Sequence, residues 1–164
     1  MKQVLLSVLF SISMVSAAGF TDAGTMETGG RFSFTSIDYG ESRGHSVVLQ
    51  PIFNVYVVDQ LYIAAKLHLE SQDGGGFFGI GAGVGYAFLP GKPVVPYIEG
   101  GIEFVHSSWG EGAAGVALPI SGGIKIPVYP HVTVDLNLGL YPKFIEDYSG
   151  VDFGLAGGVT IPIF

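Results

Sequence analysis

The chain has 164 residues, with seven Lys and Arg against fourteen Asp and Glu, and a formal charge of −7. That acidic balance argues against nucleic acid or an anionic lipid surface as a partner. The absence of cysteine excludes a disulfide framework and thiolate chemistry, and 26 glycines disfavour helices.

Met1 and Lys2 form a small positive start, Val4 to Val15 is an apolar run, and Ser16, Ala17 and Ala18 supply small residues for cleavage. This is the pattern of a secretory signal peptide over residues 1–18. The apolar run is too short for a membrane-spanning helix. Residues 19–164 are then read as one domain.

The pattern changes after the signal. Glycines or charges interrupt every later apolar stretch, so no spanning helix is expected. From Gln60 to Glu70, Leu61, Ile63, Ala65, Leu67 and Leu69 alternate with Tyr62, Ala64, Lys66, His68 and Glu70. A strand sends successive side chains to opposite faces, so this segment has one aliphatic face and one charged face. Strands of this kind are predicted at 29–38, 46–57, 60–70, 77–89, 95–106, 113–126, 131–141 and 151–164. Each is about as long as a tilted strand needs to be to cross hydrocarbon. The connections between them are rich in Gly, Pro, Asp and Ser.

A soluble lipocalin-like barrel also alternates. It would bury the aliphatic face and leave the other to water. On the predicted fourth strand, however, the second face is Gly79, Gly81, Gly83 and Gly85, which is small rather than solvating. A narrow lumen needs such positions to accommodate long side chains from its neighbours. The fold expected is all-β: an eight-stranded antiparallel up-and-down transmembrane barrel, with lipid outside and polar side chains inside.

Centring the hairpins on Asp73 and Lys92 places Lys66, Gly81 and Glu103 in one row, with Glu99 opposite Gly85. Lys66 is expected to reach over the glycine to Glu103, because adjacent strands lie about 4.8 Å apart. Lys125 is expected diagonal to Asp135, and Arg31 adds a further inward cation. These six residues are predicted to plug the lumen by mutual neutralisation, since a stranded buried charge is costly. The alternative is that they line a narrow channel for small solutes or ions.

Interface aromatics are expected in two belts. Tyr86, Phe88, Tyr129 and Phe164 fall at the end shared with the termini. Phe77, Phe104, Trp109, Tyr141, Phe144 and Tyr148 fall at the other. His106 and Ser108 have the spacing of a His-x-Ser motif, but it ends the fifth strand and is followed by Trp109. That is read as a polar strand end. His45, His68 and His131 have no metal-ligand spacing. No catalytic residue, metal or cofactor is expected.

The run PIFNVYVVDQLY from Pro51 to Tyr62 resembles the second hairpin of the outer-membrane beta-barrel domain family. VPYIEGGI from Val95 to Ile102 resembles its fifth strand, and Phe164 resembles the terminal aromatic that such barrels present to the barrel assembly machinery. The resemblance implies an OmpA/OmpX-type barrel in outer-membrane lipid, monomeric, with both termini in the periplasm. The filled lumen points to a structural or interaction role, and the position of the His-x-Ser spacing at the end of the fifth strand argues against an enzymatic one. A lipid-modifying enzyme is the second alternative, because lipid A deacylases are small barrels with a His-x-Ser motif. Phe164 is one position out of phase with Ile163, Ile161 and Val159, and a bulge near Pro162 is expected to correct this.

Overall fold

A computed structural model describes residues 21–38, 43–72, 75–108, 112–129, 131–146 and 148–163. The expected signal peptide, Trp109 and Phe164 lie outside the described residues. The strands are β1 (Met26–Asp38), β2 (Arg43–Val58), β3 (Leu61–Gln72), β4 (Gly75–Ala87), β5 (Val95–Ser107), β6 (Ala113–Ala117), β7 (Ile120–Tyr129), β8 (Val132–Ile145) and β9 (Tyr148–Ile163). Sequential neighbours pair antiparallel except β6 and β7, which each pair with β5 and β8, and β1 also pairs with β9, so the sheet closes on itself.

Nine strands make eight staves. β6 and β7 are two parts of one stave, because both continue a single register against β5, from Glu103–Ala117 to Gly100–Ile120. Pro119 causes the break, since it has no N–H to give to a ladder. Its carbonyl still accepts from Gly101 N at 3.0 Å, and Leu118 N donates to Pro142 O at 2.9 Å. The second proline is thus accommodated in the same place. β8 runs straight through Pro142 to Ile145, further than the alternation predicted.

No bulge forms near Pro162. The β1–β9 register runs unbroken from Phe32–Gly157 to Met26–Ile163. Pro162 lies past the last β8–β9 pair, Thr133–Thr160, where β9 has a ladder on one side only. A proline there needs no bulge. Register shifts occur instead at Tyr56/Val58 and Pro127/Tyr129, beside two of the turns on the terminal side.

The distribution of side chains is inverted relative to a soluble domain. Leu67, Val84, Leu136, Phe104 and Phe153 are exposed, as are most outward positions of every stave. Glu27, Arg31, Lys66, Glu99, Glu103, Lys125 and Asp135 are buried. Soluble monomers rarely expose contiguous apolar patches larger than a few hundred Å². Here the apolar surface encircles the molecule, as on a strand wall that faces hydrocarbon.

Candidate functional site: the filled lumen

Glycines set where the interior side chains can go. Tyr62, Gly85 and Glu99 form one row across β3, β4 and β5. A Cβ on Gly85 would collide with the Tyr62 ring, which lies flat over it. The Tyr62 hydroxyl thereby reaches Glu99 Oε2, donating at 2.9 Å. The device recurs around the wall. Tyr97 crosses Gly123 and its hydroxyl accepts from Asn137 Nδ2 at 2.9 Å. Arg31 crosses Gly158 to reach Asp135, with Nε at 3.2 Å and Nη2 at 3.1 Å from Oδ2.

The middle of the lumen is therefore a cross-linked layer. Arg31 also donates to the Tyr97 hydroxyl at 3.0 Å, and that hydroxyl donates to Asp135 Oδ1 at 2.7 Å. Glu99 receives Arg31 Nη1 at 3.6 Å on one side and Lys66 on the other. Below it, towards the termini, Lys125 pairs with Glu27 and donates to the Tyr56 hydroxyl at 3.1 Å, while Asn54 Nδ2 donates to Glu27 at 3.0 Å. The Lys125 ammonium also lies 5.1–5.7 Å from the ring centroids of Tyr56, Tyr62 and Tyr97. Neither layer leaves any of its cations without a carboxylate.

The third layer lies towards the opposite rim. Glu70 accepts from Ser46 at 2.9 Å and from Gln72, and pairs with Lys143 at 3.1 Å. Lys143 continues to Asp152 at 2.7 Å. Glu103 accepts from the Tyr141 hydroxyl at 3.1 Å, which itself accepts from Gln50 at 2.5 Å. Phe77, Val105, Ala117 and Ile145 pack as an apolar cluster on one side of this layer. On the other side is a cavity of about 270 Å³.

All six predicted interior charges are buried in the lumen, but their partners differ from those expected. Lys66, Gly81 and Glu103 do share a row, yet Lys66 pairs with Glu99 rather than Glu103. Barrel strands tilt by about 35–45°, so residues at one height are offset along neighbouring strands. Glu99 also has Arg31 on its far side, whereas Glu103 turns to Tyr141. Lys125 is directly opposite Asp135, not diagonal to it, and pairs with Glu27 across the lumen. Glu27, Glu70 and Lys143 were missed. Glu27 has the parity of Arg31, and starting the first strand at Met26 would have found it.

The aromatic expectation needs two corrections. Tyr141 and Phe77 point inward, because each has the parity of the buried positions on its strand. Tyr86, Phe88 and Tyr129 are exposed at the terminal end, the first two with ring centroids 5.1 Å apart. Phe104 and Phe144 are exposed near the other end. His106 is outward, while the Ser108 hydroxyl is engaged with Gly76, accepting from N at 3.0 Å and donating to O at 3.2 Å.

Two measurements follow from this geometry. Gly85→Ala should cost about 1–3 kcal/mol in a urea titration, because overpacking displaces Tyr62. Gly154→Ala should change stability by less than about 0.5 kcal/mol, since a Cβ there meets nothing within 4 Å. In a double-mutant cycle, Lys66→Met and Glu99→Gln should couple by about 1 kcal/mol or more. Lys66→Met and Glu103→Gln should couple less.

No protein-family model matches the sequence. No curated protein matches it either. Solved structures do share the fold. Neisserial surface protein A is 16% identical, with a TM-score of 0.64 over 84% of this chain and 95% of that one. The N-terminal β-barrel domain of Pseudomonas aeruginosa OprF is 12% identical, with a TM-score of 0.64 over 86% and 98%. The Yersinia pestis outer membrane protein Ail is 11% identical, with a TM-score of 0.51 over 84% and 99%. The fold is that of small eight-stave outer-membrane barrels.

Proposed function

We propose that the protein is an integral outer-membrane component with a structural or interaction role, whose barrel is closed to solutes by its own side chains. The observation that carries this is the pair of paired-charge layers, Arg31–Asp135–Glu99–Lys66 above Lys125–Glu27, that spans the lumen. A conducting pore would need a continuous aqueous path, and these layers occupy its cross-section. The encircling apolar wall supports residence in a bilayer, and the outer-membrane barrels that share the fold support the choice of membrane. On this reading the chain is exported, is monomeric, and is inserted through its last strand by the barrel assembly machinery.

The channel reading would require the same charges to line open water, and their mutual contacts argue against it. The lipid-modifying reading would need a nucleophile and base in contact, and Ser108 is instead held by the backbone of Gly76. The experiment is dilution from urea into phosphatidylcholine vesicles, followed by density flotation and an alkaline carbonate wash. The protein should float with the vesicles and resist extraction. Recovery as a soluble folded monomer would refute the membrane assignment.

A further inference from the structure

The barrel wall is not zipped over its full height. β1 pairs with β2 as far as Asp38–Arg43, and β8 pairs with β9 as far as Ile145–Tyr148. Between β1 and β9, pairing stops at Phe32–Gly157. Among the described residues, the upper part of β1 from Ser33 and of β9 up to Ala156 therefore face each other without a ladder. Gly154 shows the same separation: a Cβ there meets nothing within 4 Å, whereas one on Gly158, in the zipped part, would collide with β1.

The 270 Å³ cavity borders this seam. Its lining includes Ser33 of β1 and the Val151–Ala156 stretch of β9, together with Gln50, Asn137, Tyr141 and Lys143 from the lumen. The outer lip is apolar, with Val151, Phe153 and Leu155 about two-thirds exposed (64–69%). The interior is polar, but its charged and titratable groups already face partners: Arg31 with Asp135 and Glu99, Lys143 with Glu70 and Asp152, and His68 with Glu70 and Glu103. What such a lining offers is neutral hydrogen bonding inside and hydrocarbon contact at the mouth.

We propose that the β1–β9 seam is a lateral port through which a single-chain amphiphile with an uncharged hydroxylic head enters the upper lumen from the bilayer. The head lies against Gln50, Asn137 and Tyr141, and the chain leaves between the strands past Phe153 and Leu155. A charged head would have to displace one partner of a neutralised pair, which is why the uncharged class is assigned. The cavity, below the usual range of about 300–1,000 Å³ for drug-sized ligands, suits a small head. This inference rests on the membrane reading above.

The test uses the refolded protein in phosphatidylcholine nanodiscs, with a monoacylglycerol carrying a nitroxide on its chain as the probe. The side-chain amide signals of Gln50 and Asn137 should broaden beyond detection. In Gly154→Leu they should recover, because the added side chain fills open space. A nitroxide-labelled phosphatidylcholine reports the membrane reading separately, since it should broaden the outward Leu136 and Leu138 methyls in every variant. If it does so while Gln50 and Asn137 stay sharp with the monoacylglycerol, the port is refuted and the membrane reading stands. Equal broadening of both amides by an anionic nitroxide fatty acid would overturn the assignment of an uncharged head. Equal broadening in Gly154→Leu would overturn entry at the seam.

Discussion

Replacing Lys125 by Met should destabilise the folded barrel by about 3–5 kcal/mol, because it leaves Glu27 as a buried carboxylate without its cation. Both residues are fully buried. Among the described residues Glu27 pairs with no other cation, and its polar neighbours include the Asn54 amide and the Tyr56 hydroxyl. Water cannot readily replace the ammonium in a layer closed by Tyr56 and Tyr62, whose rings lie 5.2 Å apart. The substitution also removes the cation from above three tyrosine rings. The double variant Lys125→Met with Glu27→Gln should recover much of the loss, since a neutral pair is less costly than a half-broken one. Lys66→Met should cost less than Lys125→Met, because Glu99 keeps Arg31 and Tyr62. Urea unfolding in vesicles measures all of these. Equal stability of Lys125→Met and the parent would show that the lower layer is hydrated rather than closed.

The second large effect is expected on the opposite face. Arginine at Leu67 or Leu136 should cost about 2–4 kcal/mol if these positions lie near the bilayer midplane, falling to about 0–1 near an interface. Both residues are exposed and sit near the middle of their strands. Val57 and Ile163, exposed at the terminal end, provide the shallow comparison. If this same exposed wall faced water, the substitutions would be nearly neutral at every height. A depth-independent response would therefore contradict a lipid-facing wall.

The sequence carried the architecture because the alternation of apolar and polar residues recurs in almost every stave, and period two has only one structural reading over such lengths. It carried the β3–β4–β5 register because tight turns fix hairpin pairing, so Lys66, Gly81 and Glu103 could be aligned by counting. Counting along the wall does not reveal contacts across the lumen. Lys66 met Glu99 and Lys125 met Glu27 because tilt and curvature bring together residues that no hairpin relates. Glu27 was missed because the expected first strand begins at residue 29, whereas the strand begins at Met26. Tyr141 and Phe77 were placed by proximity to strand ends when parity already assigned them inward. The β1–β9 seam was illegible for a plainer reason. The first and last strands are joined by no loop, so no local signal sets how far they zip.

Planar-bilayer recording of the refolded, full-length barrel tests most directly whether the charge layers close the lumen. The parent should show no unit conductance at any holding potential. A robust, ion-selective unit conductance from the parent itself would contradict the account, because the same charges would then line a pore.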